Sequence, residues 1–254
     1  MNIATAKDLA DDALAEPCAR VGLIIPSSNT FSEPQFNHFA PAGLSFHMTR
    51  ARIAGQWKRP LPEMADEIAT AARLLSDCHP NLIVFHCTET SMTQGPKDEG
   101  RILHIVRNAA GIEATATSRL VLEGLQVLGM KKVVLLTPYI SNKNVIDYLA
   151  ACGIDVVRDV AMGLEAGSFG RVSPQHWTEL AKKHDSPDVD GVFLSCTNTT
   201  QIEAIADIER LLGKPAVSSN QAVLWGCLRK LRGTLLAPKP MARLGRLLQY
   251  LDYN

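Results

Sequence analysis

The sequence predicts an α/β fold made of two similar halves, each built around a parallel sheet. Short apolar runs alternate with helical patterns along most of the chain, and such alternation indicates a parallel sheet with helices on both faces. An internal repeat supports two halves: residues 83–90 end an apolar run in Cys-Thr-Glu-Thr, and residues 192–199 end one in Cys-Thr-Asn-Thr. A second repeat matches residues 111–125 to residues 213–227 without a gap.

A third landmark places the boundary between the halves. Residues 21–29 and residues 133–139 both form an apolar run that ends at a proline and a polar turn. Three landmarks in the same order are hard to obtain by chance. They predict one half at residues 18–130, a second at residues 131–235, and a last helix in residues 236–254 that packs back on the first half.

The individual elements follow from local composition. Residues 1–17 are expected to form a loosely held arm. Short runs of Val, Ile, Leu and Phe predict strands near residues 20–25, 44–52, 81–86, 112–115, 132–136, 154–158, 190–195 and 215–217. Apolar residues at helical spacing predict helices near residues 62–77, 97–110, 117–129, 142–152, 174–184, 199–212, 220–231 and 240–251.

The composition argues against several classes of partner. The 26 basic and 26 acidic residues cancel. The chain therefore lacks the net positive charge that is typical of proteins that bind nucleic acid or an anionic membrane. No window approaches the roughly 20 apolar residues of a membrane span, and the N-terminus lacks the pattern of a signal peptide. The six cysteines show neither disulfide-scaffold density nor zinc-ligand spacing. We therefore expect a reduced, cytoplasmic protein without a metal.

Cys87 and Cys196 are the candidate catalytic residues. Each follows a predicted buried strand and precedes a hydroxyl-rich turn that enters a helix, where backbone amides can stabilise a thiolate. Ligands of open parallel sheets bind beyond the carboxyl ends of the strands, so both thiols are expected to face one cleft. The alternative is that both are small buried core residues. The remaining cysteines are interpreted as packing or surface residues: Cys18, Cys78, Cys152 and Cys227.

Polar side chains at the same strand ends are candidates for binding an anionic substrate. They could donate hydrogen bonds to carboxylates, although Ser and Asn are also common in ordinary turns and helix caps. The candidates are Ser27, Ser28, Asn29, Thr88, Tyr139, Thr197 and Asn198. His86 precedes Cys87 in its strand and should point to the opposite face, which disfavours a Cys–His dyad. Ser218 to Asn220 are interpreted as the cap of the following helix.

Five of these segments resemble maleate cis–trans isomerases, which belong to the aspartate/glutamate racemase superfamily together with arylmalonate decarboxylase and ectoine-utilisation relatives. The segments are residues 22–30, the two Cys-Thr turns, residues 137–139 and residues 213–220. The resemblance implies two Rossmann-like halves related by a pseudo-twofold axis, an active site in the cleft between them, no cofactor, and a homodimer or higher homo-oligomer.

The resemblance also implies roles for particular residues. Cys87 would be the nucleophile, Cys196 would donate and retrieve a proton, and Asn29 and Tyr139 would hold the substrate carboxylates. The chain departs from the pattern at two places. Glu89 replaces a small neutral residue or serine, and residues 166–169 lack the asparagine of the family.

The predicted function is cofactor-independent cis–trans isomerisation of a maleate-like dicarboxylate by covalent addition of Cys87, with Cys196 either protonating the carbanion or only stabilising it. One alternative is a two-cysteine racemase or epimerase, in which Glu89 could serve a substrate ammonium group. A malonate-type decarboxylase and a non-catalytic binding protein are further alternatives. Intact Cys87 argues against simple decarboxylation, because the decarboxylases of this superfamily resemble the second half but lack the first cysteine.

Overall fold

The computed structural model describes residues 17–93, 95–234 and 242–251, apart from the side chains of Asp98 and Ala242. Two four-stranded parallel sheets form its framework, which confirms the predicted α/β class. Each observed strand overlaps a predicted one: β1 Ala19–Pro26, β2 Leu44–Ala51, β3 Leu82–Phe85, β4 Ala114–Ala116, β5 Lys132–Thr137, β6 Asp155–Ala161, β7 Gly191–Leu194 and β8 Ala216–Ser218.

The two sheets have the same topology. The strand order is β2-β1-β3-β4 in the first and β6-β5-β7-β8 in the second. All neighbouring strands pair in parallel, with Val21 opposite Leu82 in one sheet and Val133 opposite Gly191 in the other. The internal repeat of the sequence therefore corresponds to a repeat of strand order.

Helices connect the strands. The described helices are α1 Ser32–Phe39, α2 Leu61–Ser76, α3 Thr88–Thr93, α4 Gly95–Ala110, α5 Thr117–Val127, α6 Lys143–Ala151, α7 Pro174–His184, α8 Gln201–Leu212 and α9 Ser219–Lys230. Within the described ranges, no helix combines the length and apolarity needed to cross a bilayer.

Three hydrophobic clusters hold the helices against the sheets. In the outer cluster of the first sheet, Ile83 and Phe85 lie among apolar residues of α2 and α4. In that of the second sheet, Val134 and Leu136 lie with Trp177 among residues of α7 and α8. The third cluster contains residues of both sheets together with α5 and α9. Each sheet is thus covered on both faces, as continuous apolar strands predict.

Helices α5 and α9 pack on each other between the two sheets. They occupy equivalent positions in the repeat, and the matched glycines Gly124 and Gly226 lie in this region. A Cβ atom on Gly226 would come within 2.5 Å of the Leu120 side chain. Glycine at this position therefore allows the close approach of α9 to α5.

Two helices were not predicted, α1 and α3. Helix α1 is short, contains Pro34 and has two phenylalanines as its large apolar residues. Helix α3 consists mainly of threonine and serine, which have low intrinsic helix propensity. Neither segment carries enough apolar residues at helical spacing to predict a helix.

The chain end differs from the predicted C-terminal helix in its described part. Two 3₁₀ turns, Ala242–Leu244 and Arg246–Gln249, flank Gly245. Gly245 has a left-handed φ of 73° and approaches Ile205 so closely that a Cβ would lie 2.5 Å away, so the helical spacing of the leucines is interrupted there. The turns pack mainly on α8 and α9, and Leu247 reaches Gly124 of the first half.

Candidate active site

The carboxyl ends of β1, β3, β5 and β7 surround one cavity between the two sheets. Its volume is about 70 Å³, and it is lined by Pro26, Ser28, Asn29, Ala54, Gly55, Cys87, Thr88, Glu89, Tyr139, Ala166, Phe169, Cys196, Thr197 and Asn198. Both candidate thiols therefore face the same space. A larger cavity of about 600 Å³ lies apart from the cysteines, between α1 and α8.

Cys87 lies between the end of β3 and the start of α3, and it is 4% exposed. Its thiol donates a hydrogen bond to Thr90 Oγ1 over 3.1 Å. Thr90 in turn donates to the carbonyl oxygen of Ile53 over 2.7 Å. The single hydroxyl proton of Thr90 is thereby committed to Ile53. Thr90 therefore accepts a hydrogen bond from the thiol, and this bond favours the neutral form of Cys87.

Cys196 occupies the equivalent position after β7 and is 5% exposed. The backbone N–H of Asn198 donates to its sulfur over 3.4 Å. The nearby Tyr139 side chain also lowers the pKa of this thiol. Tyr139 is buried and packs edge-on against Phe169, with ring centroids 5.9 Å apart.

Both thiols are neutral at physiological pH in the unliganded site. Burial raises the pKa of Cys87 to about 11 and that of Cys196 to about 12. The Asn198 N–H and the Tyr139 side chain lower the pKa of Cys196, but they offset only part of the increase that burial causes. The sequence suggested that amides at the helix entries would stabilise thiolates, but desolvation in the closed cleft outweighs them.

Asn29 links the two halves at the floor of the cavity. Its amide nitrogen donates to the carbonyl oxygen and to Oγ1 of Thr197, both over 3.2 Å. Its amide oxygen accepts from the N–H groups of Phe31 and Ser32 at the start of α1. Asn198 makes a similar link, because its Oδ1 accepts from the backbone N–H of Thr30 over 2.8 Å. These side chains are held rigidly before any substrate arrives.

Ser219 supports the site from outside the described lining, although the sequence predicted only a helix cap for it. Its hydroxyl accepts from Thr88 Oγ1 over 2.8 Å and from the backbone N–H of Cys196 over 3.2 Å, so it ties the two cysteine turns together. Ser218 is the actual cap, in a capping box with Gln221. The repeat contained the signal, since Thr117 occupies the position equivalent to Ser219.

His86 points away from Cys87, as strand alternation predicts. Its ring nitrogens lie 3.0 Å from Thr117 Oγ1 and 3.1 Å from Ser32 Oγ. The side chain is fully buried, and desolvation lowers its pKa to about 3. His86 is therefore a neutral structural residue that connects β3 to α1 and α5.

The remaining predicted residues differ in their placement. Ser28 lines the cavity, whereas Ser27 is exposed and is absent from the described lining. The segment Ala166–Arg171 contributes Ala166 and Phe169 to the cavity wall. The wall is apolar at the place where the resemblance implies an asparagine.

Glu89 is the charged side chain of the lining. It lies in the first turn of α3, beside Cys87 and Thr88. Lys58, at the end of the 3₁₀ turn Gly55–Trp57, donates to Glu89 Oε1 over 2.6 Å. The two side chains are 30% and 31% exposed. Lys58 was not predicted from the sequence, because it lies 31 residues from Glu89 and carries no local motif.

Comparison with known proteins identifies the family. The model of the arylmalonate decarboxylase family matches residues 21–244. The chain belongs to this family. The match includes both cysteine turns, both sheets and most of the helices, so the family resemblance covers the whole cavity and its supporting elements.

Members of the family with known activities differ in reaction. A maleate isomerase of Geobacillus stearothermophilus is 28% identical over 229 residues, covering 84% of this chain and 91% of its own. An arylmalonate decarboxylase of Bordetella bronchiseptica is 31% identical over 162 residues, covering 62% and 68%. Family membership alone therefore leaves the reaction open between isomerisation and decarboxylation.

A solved structure of another family member shows a covalent state. It is a mutant of the Nocardia farcinica maleate cis–trans isomerase with a covalently bound succinylcysteine intermediate. It matches this chain with a TM-score of 0.80 and 25% identity, covering 91% of this chain and 98% of its own. A fold of this kind thus supports cysteine addition to a four-carbon diacid.

Proposed function

We propose that this protein is a cofactor-independent cis–trans isomerase of a maleate-like acid, with Cys87 as the nucleophile and Cys196 as the proton donor. The observation that carries the proposal is the pair of matched thiols, Cys87 and Cys196, in one small cavity. The succinylcysteine intermediate of the Nocardia farcinica relative supports the same chemistry. The proposal is an isomerase with no metal or organic cofactor.

The proposed reaction balances without an external acid or base. The sulfur of Cys87 bonds to one alkene carbon, and the electron pair moves into the adjacent carboxylate. Cys196 gives a proton to the other alkene carbon, and the proton released by Cys87 restores the Cys196 thiol. The former double bond is now single and rotates. The reverse steps then release the trans isomer and return both thiols to their neutral state.

Neutral donors hold the substrate in this scheme. The cavity offers the side chains of Tyr139, Thr197 and Asn198 as donors. Thr88 and Asn29 also line it, but each must first release the hydrogen bonds that it donates to Ser219 and to Thr197. Tyr139 keeps its proton as a donor, because burial raises its pKa well above the ordinary value. Preorganised donors of this kind stabilise the enediolate-like charge that develops during addition, which is commonly the largest catalytic contribution.

The size of the cavity disfavours an arylmalonate substrate. A cavity that accommodates a benzene ring has a volume of about 150 Å³, whereas the cavity beside the cysteines measures about 70 Å³. A small aliphatic acid that extends toward the mouth fits better than an aryl group. A racemase would use the same two thiols on opposite faces of one carbon, and Glu89 in the lining is the feature that keeps it as the second candidate.

Proton NMR in deuterium oxide separates these reactions. We expect the protein to convert maleate to fumarate and the Cys87→Ser variant to be inactive, because a serine hydroxyl lacks the soft nucleophilicity of a thiol. Aspartate, glutamate and phenylmalonate serve as comparison substrates. If maleate stays unchanged, deuterium entry at a saturated carbon of an amino acid would indicate a racemase. Loss of carbon dioxide from phenylmalonate would instead indicate a decarboxylase.

We also propose a cytoplasmic homodimer whose halves divide near residue 130. All six cysteines are free, which suits a reducing compartment, and the homodimer follows from the family resemblance. Light scattering coupled to size-exclusion chromatography tests the assembly. A monomeric mass at micromolar concentration would reject the dimer.

A further inference from the structure

The charge of the cavity is unusual for a site that binds a dianion. Among the described lining residues, Glu89 is the one with a charged side chain, and its charge is negative. Lys58 pairs with it over 2.6 Å but is not part of the lining. A substrate in the cavity therefore meets the carboxylate first and the ammonium group only behind it.

The Glu89 carboxylate has unused hydrogen-bonding capacity. Lys58 binds Oε1, and within the described residues no donor bonds to Oε2. A carboxylate accepts hydrogen bonds at both oxygens. Glu89 is part of the lining, so a donor bound in the cavity could use Oε2 as its acceptor.

The Glu89 carboxylate acts on whichever end of the substrate lies beside it in the cavity. A second substrate carboxylate near Glu89 would experience like-charge repulsion. Lys58 only partly compensates for this repulsion, because the ion pair is partly exposed to solvent. An uncharged group with an N–H or O–H donor would instead form a hydrogen bond to Glu89. Burial is the main cause of the raised pKa values of Tyr139 and Cys196, and the nearby charge of Glu89 raises both further.

We propose that Glu89, oriented by Lys58, is a specificity residue that selects cis-unsaturated half-acids, with one carboxylate and one neutral hydrogen-bond donor, over the dianion. The half-amide of maleic acid is the simplest member of this class. The inference rests on the proposed function, since it names the substrate class of the same isomerase site. One carboxylate still receives the electron pair during addition, so the covalent step is unchanged.

The first test compares two substrates. We expect the protein to isomerise maleamate with a kcat/KM about tenfold higher than for maleate, measured by proton NMR near neutral pH. The Glu89→Gln variant retains the shape but removes the charge, and its amide can donate to a carboxylate. It should reduce the preference for maleamate at least about fivefold.

A matched variant controls for loss of an ion pair. Glu67 pairs with Arg59 over 2.8 Å at exposures of 32% and 29%, close to those of Glu89 and Lys58, but Glu67 is absent from the described lining. Glu67→Gln should leave the substrate preference unchanged. The role of Glu89 would be overturned if the wild type had a kcat/KM for maleate at least equal to that for maleamate. Equal effects of the two variants on the substrate preference would also overturn it.

A binding experiment separates this inference from the proposed function. Succinate and succinamate are saturated and cannot be isomerised, so their protection of Cys87 against iodoacetamide reports binding alone. Stronger protection by succinamate supports the inference even if neither unsaturated acid turns over, in which case only the isomerase proposal fails. Stronger protection by succinate, or protection by aspartate that exceeds both, would overturn the inference.

Discussion

The protonation state of Cys87 leads to a quantitative prediction for alkylation of the free protein. With a pKa of about 11, about 0.1% of Cys87 is thiolate at pH 8, compared with about a quarter of an ordinary thiol of pKa 8.5. The higher basicity makes each thiolate about 10-fold to 20-fold more nucleophilic. Cys87 should therefore react with iodoacetamide about 20-fold more slowly than an ordinary thiol, before any further reduction by limited access.

The pH profile separates protonation from access. Alkylation at each cysteine is followed by peptide mass spectrometry, with the exposed residue Cys78 as the internal reference. The rate at Cys87 should rise about tenfold per pH unit from pH 7 to pH 10, because the thiolate fraction does so below the pKa. A plateau at Cys87 below pH 9 would refute the neutral resting state and favour the thiolate that the sequence suggested.

The remaining predictions concern stability. Gly226→Ala should lower the free energy of unfolding by about 1–3 kcal/mol in urea titrations, because its Cβ would meet Leu120. Gly100→Ala, in the open middle of α4, should instead raise it by up to about 1 kcal/mol, and equal gains in both variants would contradict tight packing at Gly226. The unfolding free energy should also fall by about 2 kcal/mol for each of Cys87 and Cys196 between pH 8 and pH 10. The reason is that their raised pKa values make the folded state bind more protons than the unfolded state in this range. A stability that does not change with pH, or the same pH dependence in the variant with both cysteines replaced by serine, would contradict this.

The sequence predicted the framework because its signals were local. All eight described strands overlap predicted ones, and the central strands β1, β3, β5 and β7 are largely apolar. The repeat of the cysteine turns placed both thiols at equivalent strand ends. Parallel topology then brings those ends together. The cavity lining accordingly contains eight of the nine predicted site residues.

The failures have specific physical causes. Ser27 and Ser28 are adjacent, and only the exact path of the turn decides which of them reaches the cavity. The partnership of Lys58 with Glu89 depends on tertiary contacts between a loop and a helix start. The interrupted C-terminal helix depends on the close approach of Gly245 to α8, which leucine spacing does not reveal.

The most direct test of the central claim is mass spectrometry of the Cys196→Ser protein after incubation with maleate. Solvent can still protonate the carbanion slowly in this variant, but a serine hydroxyl retrieves that proton poorly. The covalent intermediate should therefore accumulate as an adduct of the mass of maleic acid on the peptide that contains Cys87. The Cys87→Ser, Cys196→Ser double variant is the control and should carry no adduct. Isomerisation of maleate by the Cys87→Ser protein, with no adduct on Cys87 in the Cys196→Ser variant, would contradict covalent catalysis by this residue.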